Sequence, residues 1–170
     1  MTARAPEAPS ILGMVRVLQT NMGTPRRLHR VFAESPIYFV TASTFEGRWI
    51  LNRPDVHRAF VQFGLRGVDR GVRLGRYVLM PDHVHLFVSL SRQAPSLSVW
   101  KKSLKNAISK VLRLATISAP HWEKGFFDRV IRSDESYDQK WEYVRQNPVR
   151  AGLVRSAEDY PYAGELFQIK

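Results

Sequence analysis

Tyr77-Val78-Leu79-Met80-Pro81-Asp82-His83-Val84-His85-Leu86-Phe87-Val88-Ser89-Leu90 reads as two β-strands joined by a tight Pro-Asp turn. Residues alternate across a strand, so His83, His85, Phe87 and Ser89 are expected on one face. Val84, Leu86, Val88 and Leu90 then form the other face, which is wholly aliphatic and requires a core. Two imidazoles leaving a rigid strand side by side can hold one divalent cation. The same pair can also be the ordinary polar face of a half-exposed strand, so a second element has to decide.

Outward from this stretch, residues 36–43 have the β-branched and aromatic content of a strand. Asn52-Arg53-Pro54-Asp55 opens a helix, with proline tolerated in the first turn. Its packing stripe is Val56, Ala59, Phe60 and Phe63, which leaves His57 expected at the surface. Gly64, Gly67, Gly71 and Gly75 follow without a closing Lys-Ser or Lys-Thr, which excludes a phosphate-cradling P-loop. They end the helix and lead into the strand at 74–80. Ser96 caps a helix over 97–115 whose apolar stripe is Leu97, Trp100, Leu104, Ile108, Val111 and Ala115. Lys101, Lys102, Lys105, Lys110 and Arg113 lie mostly off that stripe. A fourth strand is expected at 126–131. A last helix starts at Ser133-Asp134-Glu135, with carboxylates suited to the helix dipole, and runs to Asn147 before Pro148. The order strand, helix, strand, strand, helix, strand, helix implies an α+β, ferredoxin-like split βαβ fold with an antiparallel sheet. Helices cover one face; the other is expected to stay open, with His83 and His85 pointing into it.

Composition narrows the chemistry. The chain has 170 residues, 44% of them hydrophobic, which fits one globular domain with extensions. It has no cysteine, so disulfides, thiolate catalysis and cysteine-ligated zinc or iron–sulfur centres are excluded. No run approaches a membrane span, and no signal peptide is recognised at 11–18, so a cytoplasmic protein is expected. The net charge of +11 points to a polyanionic partner, most simply nucleic acid. Arg26 and Arg27 ahead of the first strand, with the cations of 97–115, are the candidate backbone contacts.

The deciding second element is the last helix. Tyr137, Trp141 and Val144 fall at i, i+4 and i+7 and form its packing stripe. Tyr143 lies off that stripe, and Asn147 stands one turn further on the same face. Together, Val78-Leu79-Met80-Pro81-Asp82-His83-Val84-His85-Leu86-Phe87 and Trp141-Glu142-Tyr143-Val144-Arg145-Gln146-Asn147-Pro148-Val149-Arg150-Ala151-Gly152-Leu153-Val154 resemble the REP-associated tyrosine transposases, members of the single-tyrosine HUH superfamily. Phe127-Asp128-Arg129-Val130-Ile131 resembles the segment before that family's tyrosine helix. The resemblance extends over residues 26–166, with 1–25 as an N-terminal extension, 26–154 as the catalytic domain and 155–170 as a tail packing on it.

The resemblance implies a function. Tyr143 matches the nucleophile, and His83 and His85 match the metal ligands, with Asn147 where relatives place a third ligand. The implied cofactor is Mg2+ or Mn2+, and the implied partner is single-stranded or hairpin DNA, bound by a monomer or homodimer. The expected reaction is single-strand cleavage and strand transfer through a 5′-phosphotyrosine link, which retains bond energy and needs no nucleotide triphosphate. A histidine-triad hydrolase would require another histidine where Phe87 stands. A relaxase or replication-initiator nickase shares the chemistry but not the Asn147-Pro148 context. The alternative function is a non-catalytic or domesticated nucleic-acid-binding protein on the same fold.

Overall fold

The period-two alternation along His83–Leu90 builds a sheet with two different faces. The computed structural model describes residues 35–125, 127–131 and 134–169. In chain order the elements are β1 (Ile37–Ser43), α1 (Pro54–Arg66), β2 (Val72–Leu79), β3 (His83–Leu90), α2 (Leu97–Leu114), β4 (Phe127–Ile131), α3 (Asp134–Arg145), a short α4 (Asn147–Arg150) and β5 (Ala163–Glu165). The strands lie in the order β4-β1-β3-β2-β5, every neighbour antiparallel. This is the ferredoxin-like arrangement with β5 added beside β2. The expected readings of residues 1–34, the N-terminal extension and the Arg26 and Arg27 contacts among them, lie outside the described residues.

One face of the sheet packs under α1 and α2. Val84, Leu86, Val88 and Leu90 of β3 join Val40 and Ala42 of β1 in a core with Val56 and Phe60 of α1 and Trp100, Leu104, Ile108 and Leu112 of α2. Each fully buried aliphatic side chain there contributes about 1.5–3 kcal/mol. His57 belongs to this layer and is buried, not at the surface as its place off the stripe suggested. Its Nε2 lies 2.8 Å from the Tyr77 hydroxyl, so a hydrogen bond makes burial tolerable. Burial alone pushes its imidazolium down to about 4.

The second face is not open. Phe39 and Phe87 of the sheet pack with Tyr137 and Val144 of α3 and with Tyr160 and Ile169 of the C-terminal segment. Tyr137 packs on Phe87 with centroids 4.5 Å apart and the rings tilted by 50°, and the Tyr160 hydroxyl donates to the Leu79 carbonyl at 2.7 Å. A face carrying Phe39, Val78, Met80 and Phe87 is too apolar to leave in water, and α3 supplies the matching stripe. Among the described residues no helix is long and apolar enough to cross a membrane.

Candidate functional site

His83 and His85 occupy the end of the second face that α3 leaves partly accessible. Both side chains are half-buried, whereas Phe87 and Ser89 further along the same face are fully buried. The β1–β3 register sets Ser43 opposite His83 and Thr41 opposite His85. The two imidazoles meet edge to face, with centroids 4.6 Å apart.

Each ring is oriented through the same nitrogen. His83 Nδ1 is 2.7 Å from Asp82 Oδ1, so the ring N–H donates to the carboxylate of the preceding turn residue. His85 Nδ1 is 2.8 Å from Thr41 Oγ1, directly across the ladder. The Phe39 ring stacks on His85 at 5.5 Å and 19°. Both Nε2 atoms are left without a hydrogen-bond partner among the described residues. A hydrogen bond at one nitrogen and a free lone pair at the other is how ligand histidines are held. Two imidazoles bound to one ion at about 2.1 Å have ring centres roughly 4.5–5 Å apart, so the observed spacing fits such a pair. Burial pushes His85 down to about 3, and the neighbouring His83, Lys140 and Arg150 act in the same direction. The ring is therefore neutral, as a ligand must be, throughout the physiological range. Among the described residues no third histidine, aspartate or glutamate completes a metal-ligating cluster.

Tyr143 reaches this end of the sheet through the path of α3. β4 runs from Phe127, opposite Thr41, to Ile131, opposite Ile37. The chain then reverses, and α3 travels back over the second face. Tyr137 sits on Phe87, Trp141 meets the same ring edge-on at 6.5 Å, and Lys140 Nζ lies 5.1 Å from the Phe39 ring. Phe39 and Phe87 are one alternation step from Thr41 and His85. Tyr143, two residues beyond Trp141, is carried on toward the histidines and is 61% exposed. Two cations link it to them. Lys140 Nζ is 5.8 Å and Arg150 Cζ 4.2 Å from the Tyr143 ring centre, and both act electrostatically on His85.

Asn147 does not continue the tyrosine helix. α3 ends at Arg145, Gln146 intervenes, and Asn147 opens α4 with Pro148 in its first turn, where a missing N–H costs nothing. Its carboxamide oxygen accepts a hydrogen bond from Arg150. The same guanidinium nitrogen donates to the Tyr143 carbonyl at 2.7 Å.

The basic residues of α2 divide. Lys101 is buried, its Nζ 3.0 Å from Asp128 Oδ1 of β4, and so does not face outward as its position off the stripe suggested. Asp128 lies on the edge strand, and the ion pair fastens α2 to it. Lys105 is half-buried and donates to the carbonyls of Glu123 and Gly125 at 3.2 and 3.0 Å. Lys102, Lys110 and Arg113 are exposed. They lie on the helical layer, across the sheet from His83 and His85. Arg26 and Arg27 lie outside the described residues.

Several site residues escaped the sequence reading. Thr41 is identified only by strand register, and Asp82 only by its bond to His83. Phe127 and Arg129 share the histidine face, because they pair with Thr41 and Phe39; both are exposed, Phe127 by 58%. Trp49 is 70% exposed on a loop tied to the histidine turn by Ile50 and Leu51 N–H bonds to the Pro81 carbonyl at 2.9 and 3.0 Å. For Trp49 the available signal was a tryptophan placed between the first strand and the first helix.

No family model matches the sequence. The REP-associated tyrosine transposase of Escherichia coli K12 is 25% identical over 95 residues, covering 56% of this chain and 55% of that protein. A Haemophilus influenzae protein provisionally given the same family name is 25% identical over 95 residues, covering 50% of this chain and 54% of its own. The chain thus spans about half the length of the curated relatives it matches. A solved REP-associated tyrosine transposase bound to a REP hairpin superposes with a TM-score of 0.59 at 22% identity, covering 75% of each chain. Over about half its length the sequence is similar to the REP-associated tyrosine transposases, and over three quarters of it the chain shares the fold of one solved member.

Proposed function

We propose that this protein cleaves single-stranded or hairpin DNA and transfers the strand, with Tyr143 as nucleophile. The observation that carries the reading is the pair of imidazoles with both Nδ1 atoms hydrogen-bonded and both Nε2 atoms free, at the sheet end toward which α3 carries an exposed tyrosine. His83 and His85 would hold Mg2+ or Mn2+, with the Asn147 carboxamide as a third ligand once it leaves Arg150. A cation there supplies Lewis-acid polarisation of the scissile phosphodiester.

The protein's own groups do the rest. The Tyr143 oxygen forms a bond to phosphorus while the bond from phosphorus to the 3′-oxygen breaks. The phenol gives up its proton and the departing oxygen takes one, so no net proton is consumed. A phenol attacks as its oxygen loses the proton, and a nearby cation steadies the charge that develops there. Lys140 Nζ and Arg150 Cζ lie 5.8 and 4.2 Å from the Tyr143 ring centre. The link formed is a 5′-phosphotyrosine, and attack on it by another 3′-hydroxyl rejoins strands. Lys102, Lys110 and Arg113 are suited to backbone phosphates of the bound DNA, and the exposed Phe127 and Trp49 rings to stacking on unpaired bases.

The test is a denaturing-gel assay of labelled hairpin-bearing oligonucleotides incubated with the protein and Mn2+. A covalent adduct is expected, and Tyr143→Phe should abolish it while leaving affinity intact. An adduct that survives this substitution removes Tyr143 from the role. Binding without any adduct, across oligonucleotides of varied sequence, would favour the non-catalytic alternative.

A further inference from the structure

We infer that Arg150 competes with the metal ion for Asn147 and so keeps the third ligand in reserve. This rests on the metal-site reading above. The guanidinium makes three contacts at once. It bonds the Asn147 carboxamide oxygen, it donates to the Tyr143 carbonyl at 2.7 Å, and its carbon lies 4.2 Å from the Tyr143 ring centre.

Each contact has a physical reason. Tyr143 lies in the last turn of α3, where carbonyls lack helical partners, and a cationic side chain is a good substitute. The helix break at Gln146 and the turn of α4 bring Arg150 back over that terminus. A planar guanidinium can stack on a ring while its edge donates, which an ammonium cannot do. The Asn147 oxygen is the atom a hard cation would take, and it is occupied by a donor carried on the same short helix.

That oxygen has a second lone pair, but an ion on it would sit against the guanidinium charge, so the two hold it poorly together in this arrangement. Arg150 is a positioning residue for Tyr143 in one state and a competitor for Asn147 in the same state. A phosphate group, which binds a guanidinium through two parallel hydrogen bonds, is the chemistry that would draw Arg150 away.

The experiment is Mn2+ titration of the full chain without DNA, following free Mn2+ by electron paramagnetic resonance. The variants are Arg150→Ala, Arg150→Lys, Asn147→Ala and the double variant Arg150→Ala with Asn147→Ala. Arg150→Ala should tighten Mn2+ binding about tenfold, the scale of one charge-assisted hydrogen bond that no longer has to be broken. Part of any gain is the removal of a positive charge near the site, worth about threefold or less through solvent. That part persists in the Asn147→Ala background, whereas release of the carboxamide does not. The expected result is tightening that is several-fold larger when Asn147 is present. Arg150→Lys keeps the charge and loses the planar fork, so it too should tighten binding, and it decides the matter if Arg150→Ala does not fold. Equal tightening with and without Asn147, or none in either Arg150 variant, overturns the inference. Mn2+ binding indifferent to His83→Ala would instead overturn the metal site itself.

Discussion

Replacing Lys101 separates two jobs that a lysine on α2 can have. Its side chain is 4% exposed, with Nζ 3.0 Å from Asp128 Oδ1, and Asp128 is 32% exposed. Lys101→Ala removes three buried methylenes at about 0.8 kcal/mol each, or about 2.4 kcal/mol. Asp128 keeps access to water, so its stranded charge adds much less than the roughly 3–5 kcal/mol of a fully buried broken pair. The expected loss is about 3 kcal/mol. Lys101→Met keeps the stem and its packing and should cost about 1 kcal/mol or less. Neither change should alter how DNA affinity depends on salt, because the Lys101 charge is spent on β4. Lys102→Ala, by contrast, should reduce the slope of log affinity against log salt by about 0.7–0.9. Urea unfolding supplies the stabilities, and fluorescence anisotropy of a labelled hairpin oligonucleotide with an unpaired flank, at several salt concentrations, supplies the slopes. If Lys101→Met lowers the slope as much as Lys102→Ala, at unchanged stability, then Lys101 faces the DNA and the ion-pair argument is wrong.

Two further expectations concern the buried histidine and the ligand pair. The folded state holds His57 neutral down to about 4, while the unfolded chain takes its proton near 6.5, so stability is full above that value and falls as pH drops through this window. At pH 5 the loss is about 2 kcal/mol by linkage, and urea unfolding of His57→Gln at pH 7 and pH 5 should lack that share of the decline. Thr41→Val deletes the hydroxyl that orients His85 and should weaken Mn2+ binding by about tenfold, read by the same metal titration; an unchanged affinity would remove Thr41 from the site.

The sheet and its helical layer were legible because period-two and period-3.6 patterns are local. Val84, Leu86, Val88 and Leu90 point to a core in the sequence and lie in one. The exposed Tyr143 was likewise visible as the residue off the stripe of Tyr137, Trp141 and Val144. Other features depend on distant partners. His57 is buried because Tyr77 supplies a hydrogen bond, and Lys101 because Asp128 supplies a counter-charge, and neither partner is announced by the residues around it. The face expected to be open is covered because α3 and the tail return over it, a long-range event that helix periodicity does not encode. The break at Gln146 was missed because Pro148 reads equally as the end of one helix or the first turn of the next.

The two faces of the sheet set a constraint on how DNA can lie. α2 carries no Asp or Glu, and its exposed Lys102, Lys110 and Arg113 stand on the helical layer. His83, His85 and Tyr143 belong to the other face. Under the proposed function, a molecule that touches both must pass around an edge of the sheet. β4 is the edge strand beside the histidine end, and it presents Phe127 and Arg129 to the site face. Arg129 has no acidic partner among the described residues. This arrangement suits a duplex stem on the cations of α2 with its unpaired flank crossing β4 to Tyr143. A combined Lys102→Ala, Lys110→Ala, Arg113→Ala variant should then lower the salt slope by about 2–3 on a hairpin with a flank. On a bare single strand of the flank sequence the same variant should change it little, whereas Arg129→Ala should act on both. Equal losses on both substrates from the triple variant would mean that the α2 surface holds single strands, and that the stem lies elsewhere.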